Sequence, residues 1–246
     1  DFYSRRIRRI FPALLVVITA TFLFGFFILS ADEFSALGKL VAAGIGFVAN
    51  LVLWSEAGYF DAATETKPLL HLWSLGIEEQ FYIIWPLLLI FAWKRKISLL
   101  IVTMIVLFIS FSFNIFNIKT DPIATFYSPL TRIWELLFGS VLSWIMVFKK
   151  DAFANFNFKI NKQLSRYKLF NNAEEKNIFA NILSILGIVL FIIGFVKITK
   201  ESFFPGYWAL VPVLGTVVII MAGPEAWINK KILSNKFAVW FGLISF

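Results

Sequence analysis

Long apolar runs broken by short charged punctuation set the pattern of this chain. The runs predict helices over residues 10–29, 70–93, 97–118, 129–148, 178–196 and 207–222, with a further one starting at Phe237. Most approach the roughly 20 residues that a bilayer crossing needs. Pro12 suits a first helical turn, where no amide hydrogen is required. "SADE" at 30–33 closes the first run, and "KRK" at 94–96 closes the run that begins at residue 70. The stretch 37–54 is weaker, because Gly38, Lys39, Gly44, Gly46 and Asn50 interrupt it. A polar loop is predicted over 55–68. The alternation of Phe, Asn and Lys over 149–177 reads as an interfacial loop. No internal repeat is present.

Composition sharpens this into a class. Hydrophobic residues make up 59% of the 246 and charged ones 15%, where a soluble domain is nearer half and a quarter. The expected fold is all-α, a polytopic transmembrane helical bundle. With no cysteine and one histidine, disulfides, thiolate chemistry and a multi-histidine metal site are excluded, and no permanently bound cofactor is expected. The net charge of +8 is read as lysine and arginine gathered on one membrane face and touching membrane lipids, with no nucleic acid partner.

Charge also tests the topology. If every apolar stretch crosses, "RRIRR" (Arg5 to Arg9) and "KRK" fall on opposite sides, against the positive-inside rule. If 37–54 dips in and returns, or lies along the outer interface, 17 of the 23 Lys and Arg fall inside. Irregular backbone at membrane depth is tolerated where protein or a cavity surrounds it. The second topology is therefore expected.

The candidate chemistry lies in "HLWSLGIEEQFYIIWPLLL". Each ionisable group at bilayer depth costs about 2.5–3.5 kcal/mol on insertion scales, yet Glu78 and Glu79 stand side by side. His71 lies seven residues before Glu78, about 10 Å along a helix axis, and Tyr82 one turn after it, so the three can share a face. Pro86 cannot donate to the carbonyl of Tyr82. Two readings stand: a polar site, or a glutamate paired with an arginine on a neighbouring helix to fix the bundle. Arg132 and Glu135, three apart in "SPLTRIWELLFG", can pair across one turn as a structural unit or line a cavity. The arginines of "RRIRR" are either topology anchors on anionic lipid or a phosphate grip. No Walker loop, dinucleotide fingerprint or histidine–aspartate pair occurs.

"DFYSRRIRRIFPALL", "GYFD…KPLLHLWSLGIEEQFYIIWPLLL" and "SPLTRIWELLFGSVL", in this order and spacing, resemble the acyltransferase 3 family over essentially the whole of residues 1–246. The likeness is to the branch often fused to a C-terminal SGNH domain. It implies an integral membrane O-acyltransferase of the bacterial inner (plasma) membrane. Such an enzyme passes an acyl group, acetyl above all, from a cytoplasmic donor, acetyl-CoA, to a hydroxyl of an envelope glycan such as lipopolysaccharide or peptidoglycan. The resemblance assigns Arg6 and Arg9 to the donor, Glu78 and Glu79 to the glutamate motif, and Arg132, Trp134 and Glu135 to a third motif. His71 belongs to the "HLWSL" motif and joins the glutamates as a catalytic candidate. The family's proposed histidine precedes everything present here. The chain is thus expected to be the interior of a longer protein, inactive alone, with helices absent at both ends. The alternative is a transporter or flippase of a lipid-linked glycan, which paired broken helices in two repeated halves would favour. A non-catalytic scaffold is a third reading.

Overall fold

The computed structural model describes residues 2–57, 67–165, 177–199 and 201–244. Among these the chain is helical and has no strand. Five stretches are long and apolar enough to cross a membrane: Phe2–Ile28, Leu72–Lys94, Leu99–Asn117, Pro122–Phe148 and Ile178–Lys197. This is a multi-pass membrane protein, an all-α bundle. Its apolar surface faces outward as lipid demands; Phe195 is 88% exposed and Phe27 80%.

The helices in order are α1 (Phe2–Ile28), α2 (Ala31–Ile45), α3 (Ala49–Glu56), α4 (Leu72–Lys94), α5 (Leu99–Asn117), α6 (Pro122–Tyr127), α7 (Pro129–Phe148), α8 (Lys150–Ser165), α9 (Ile178–Lys197), α10 (Leu210–Ala222) and α11 (Lys236–Ile244). Two predicted boundaries are corrected. Helix α1 starts at Phe2, not residue 10, because the arginines are good helix formers and continue it. Pro12 therefore lies inside the helix, where it forgoes one bond to the carbonyl of Arg8. The expected interfacial loop is helical over α8. Its half-buried positions Phe153, Asn157, Ile160, Asn161 and Leu164 recur at helical spacing, a stripe that the Phe–Asn alternation hides. Phe156 packs edge-on to Phe179 of α9, and Asn161 accepts from the Phe179 amide at 2.8 Å. The rest of that loop lies outside the described residues, as do "GYFD" and most of the loop at 55–68.

Residues 37–54 are not one helix. Helix α2 opens with a capping box between Ser30 and Glu33 and ends in a Schellman motif. There the Val48 amide donates to the Ala43 carbonyl at 2.8 Å and the Phe47 amide to that of Gly44 at 3.2 Å. Phe47 takes φ +55°, a left-handed conformation that costs a side-chain-bearing residue roughly 1–2 kcal/mol. The chain then turns back, so that Leu40 of α2 and Leu53 of α3 share a buried cluster with Tyr127.

The core sits among α4, α5 and α7, where Phe81, Trp85, Leu107, Leu137 and the fully buried Trp134 meet Ala209. Helices α9 and α10 form an antiparallel pair drawn close by Gly187 and Gly215, since small residues let membrane helices approach.

Candidate functional site

Successive residues of a helix point about 100° apart, so α4 presents a different face to each neighbour. Toward the α2–α3 turn it shows Gly76 and Gln80. A Cβ at Gly76 would lie 2.9 Å from Asn50 Oδ1 and 3.2 Å from the Phe47 carbonyl oxygen, so only glycine allows this approach. Gln80 Nε2 donates to the Phe47 carbonyl at 2.8 Å and to Asn50 Oδ1 at 2.9 Å. Asn50, fully buried, donates in turn to the Tyr127 carbonyl at 3.1 Å. The strained turn is thereby tied to both α4 and α6.

Toward α1 the helix shows Glu79. Arg6 Nη2 donates to Glu79 Oε1 at 2.6 Å and Arg6 Nε to the same oxygen at 3.2 Å. The Arg6 guanidinium carbon lies 3.4 Å from the centre of the Tyr82 ring, within cation–π range. Tyr3, one turn earlier on α1, donates to the Ile83 carbonyl at 3.2 Å. Glu79 is thus the glutamate that fixes one helix to the next.

Toward α7 the helix shows Trp73, Ser74, Ile77 and Glu78. These line a cavity of about 140 Å³ with Arg132, Glu135 and Leu136. Arg132 and Glu135 pair across one turn, Nε to Oε1 at 2.8 Å and Nη2 to Oε2 at 3.0 Å. The guanidinium carbon of Arg132 lies 5.3 Å from the Trp73 ring and 5.5 Å from each of the Phe126 and Phe204 rings. Three aromatic rings and a carboxylate hold it in place. Glu78 makes no ion pair among the described residues. Glu78 therefore shares a cavity with a guanidinium bonded to Glu135, and the cation whose charge reaches it, Arg6, is bonded to Glu79. The Glu78 carboxylate can accept a proton or the hydrogen bond of a hydroxyl.

The site residues expected from sequence fall into separate places. Glu78, Arg132 and Glu135 come together at the cavity. Glu79, Arg6 and Tyr82 form the α1–α4 contact, and Arg6, stacked on Tyr82, is also the cation nearest in effect to Glu78. His71 is exposed at the N-terminus of α4 and is not among the cavity's lining residues; its carbonyl accepts from Ser74 Oγ at 3.2 Å. Arg9 is exposed on α1. Among the described residues no three His, Asp or Glu converge as a metal ion would need. The aromatic ring set around Arg132 and the Asn50–Gln80 tie were not foreseen. Asn50 and Gln80 stood out as polar residues in apolar runs, whereas nothing local marks Phe204.

Comparison with known proteins matches the acyltransferase 3 family, described as an acyltransferase domain, over residues 1–246. An uncharacterized protein of Haemophilus influenzae is 34% identical over 89% of this chain and 85% of its own length. The peptidoglycan O-acetyltransferase of Listeria monocytogenes is 31% identical over the whole chain, which spans 38% of that protein. No solved structure gives a significant match. With a family match from the first residue to the last, and its three motifs gathered around α4, the chain belongs to the acyltransferase 3 family.

Proposed function

We propose that this chain is the membrane part of an O-acyltransferase of the bacterial plasma membrane. It moves an acetyl or other short acyl group from a cytoplasmic acyl-CoA to a hydroxyl of an envelope glycan. The observation that carries the reading is Glu78, with no ion pair among the described residues, sharing a cavity with the Arg132–Glu135 pair, in a family whose Listeria relative is named for peptidoglycan O-acetylation.

The acceptor oxygen attacks the thioester carbonyl, the carbon–sulfur bond breaks, and the hydroxyl proton passes through a base to the leaving thiol. Glu78 orients the hydroxyl by accepting its hydrogen bond. Arg132, clamped by its rings, fixes Glu135 and balances its charge. Both arginines assigned to the donor lie on α1, where Arg6 bonds Glu79 through Nε and Nη2 and Arg9 is exposed; guanidinium forks suit phosphate.

The test uses the full-length protein in detergent with isotopically labelled acetyl-CoA and purified glycan strands. Label transfer to glycan that Glu78→Gln reduces at least tenfold, with the protein still monodisperse, supports the reading. A folded wild type that labels no glycan overturns it.

A further inference from the structure

A second cavity, of about 310 Å³, opens where α3, α5, α6 and α7 meet. That size is at the lower end of the roughly 300–1,000 Å³ usual for small-molecule sites. Its wall carries two partly exposed aromatic side chains, Trp54 of α3 and Phe113 of α5. Asn117, one turn after Phe113 on the same face of α5, Asp121 and Ser128 line it as well.

The polar groups divide into a rigid floor and an open rim. Thr125 Oγ1 donates to the Asp121 carbonyl at 2.7 Å, and Thr131 Oγ1 donates to the carbonyls of Thr125 at 2.7 Å and Ser128 at 2.9 Å. These hydroxyls are committed to holding the backbone. Asp121 Oδ1 accepts from the Ala124 amide at 2.9 Å and caps α6. Asp121 Oδ2, the Asn117 amide and the Ser128 hydroxyl make no hydrogen bond among the described residues. One turn deeper on α5, the fully buried Asn114 has an amide with no hydrogen-bond partner, so polar capacity continues inward from Asn117.

A flat aromatic surface beside a carboxylate, an amide and a hydroxyl matches one ligand chemistry well. A sugar ring lays its apolar C–H face on the aromatic ring and turns its hydroxyls to the polar groups. Position agrees. The cavity lies at the end of α5 away from "KRK", the end that the charge pattern places opposite the basic clusters. It also shares α7 with the charged cavity, for Thr131 and Arg132 are consecutive and face different sides of the helix.

We infer that this cavity binds a sugar ring of the acceptor glycan, with Trp54 as the stacking platform and Asn117, Asp121 and Ser128 as hydroxyl partners. The inference rests on the O-acyltransferase reading and adds to it the place where the acceptor is held.

The experiment measures acetyl transfer by the full-length protein to a soluble β-1,4-linked N-acetylhexosamine tetramer, varying donor and acceptor separately. Trp54→Ala, Asn117→Ala and Asp121→Asn each raise the acceptor KM about tenfold, the effect of losing one strong contact. The donor KM stays unchanged, and Trp54→Phe restores most of the loss. Asparagine still caps a helix, so Asp121→Asn tests the carboxylate without disturbing α6. If the wild type is active and no variant shifts the acceptor KM, the cavity is not an acceptor site, while the O-acyltransferase reading stands. If the wild type transfers to neither the tetramer nor any other glycan, that reading fails and this inference with it.

Discussion

Replacing each adjacent glutamate in turn separates a structural carboxylate from one that is not. Glu79 faces Arg6 at 2.6 Å, with side-chain exposures of 10% and 20%. In Glu79→Gln the amide oxygen still accepts from the charged guanidinium, but the attraction between opposite charges is lost and the desolvated guanidinium is left uncompensated, a loss of about 1–2 kcal/mol. Glu79→Ala leaves the partly buried guanidinium without a partner and costs about 3–5 kcal/mol. Arg6→Met combined with Glu79→Met removes both charges and recovers most of that. The cation–π contact to Tyr82, worth about 0.5–2 kcal/mol, stays lost. Glu78→Gln has no ion pair to lose and removes a charge from an apolar surrounding, so it leaves stability unchanged or raises it. Thermal unfolding in detergent reads these differences at about 2–4 °C per kcal/mol for a chain of this size. Glu79→Ala then melts roughly 6–20 °C lower and Glu79→Gln roughly 2–8 °C lower. Equal losses in Glu78→Gln and Glu79→Gln, or no recovery in the double methionine variant, would refute the division of roles.

Three further outcomes follow from local geometry. Gly76→Ala places a Cβ 2.9 Å from Asn50 Oδ1 and 3.2 Å from the Phe47 carbonyl oxygen, so it lowers stability by about 1–3 kcal/mol; an unchanged melting temperature would mean that α4 has room to move. Gly187→Ala brings a Cβ within 2.9 Å of the Gly215 carbonyl oxygen and against Ile219, and should loosen the α9–α10 pair, seen as faster proteolysis around residues 198–206. At Glu33, hydrogen bonds from the Ser30 backbone and then from its side chain hold the carboxyl below its usual 4.5. A depressed value means that the cap is fully formed above pH 4.5 and is lost as the pH falls below it. Hydrogen exchange in the first turn of α2 should therefore speed up on acidification relative to the rest of the helix; Ser30→Ala, which keeps the backbone donor, should weaken that dependence, and Glu33→Gln should abolish it.

The spans were legible because each carries a run of lipid-soluble side chains, and lipid offers the unpaired backbone no alternative to a helix. The break near Asn50 was legible for the opposite reason, since glycines and an amide in an apolar run signal a backbone that protein must surround. Where within that stretch the chain turns was not readable. A phenylalanine in the left-handed region has no local signature; it is held there by the Schellman bonds of its own turn and by Gln80 of a helix thirty residues on. Helix α8 was hidden by its own composition. Asparagines occupy part of its packing stripe, so hydropathy alone could not find the 3.6-residue period.

At the site, sequence proximity was misleading in a way that helix geometry explains. Two neighbouring glutamates invite a single role, as a carboxylate pair or as common glue. On a helix they are 100° apart, and with different neighbours they have different partners. Glu79 meets Arg6, so the cation that a lone buried carboxylate needs is supplied by α1. Glu78 shares a cavity with a guanidinium already taken by Glu135, and the charge that reaches it is that of Arg6, already taken by Glu79. The first arrangement neutralises itself and needs nothing further from the protein. The second leaves a carboxylate at membrane depth without a cation of its own, a state worth about 2.5–3.5 kcal/mol of insertion cost on the scales that price such groups. The adjacency of the two glutamates has an electrostatic meaning: Arg6, fixed by Glu79, also acts on the carboxylate one residue away.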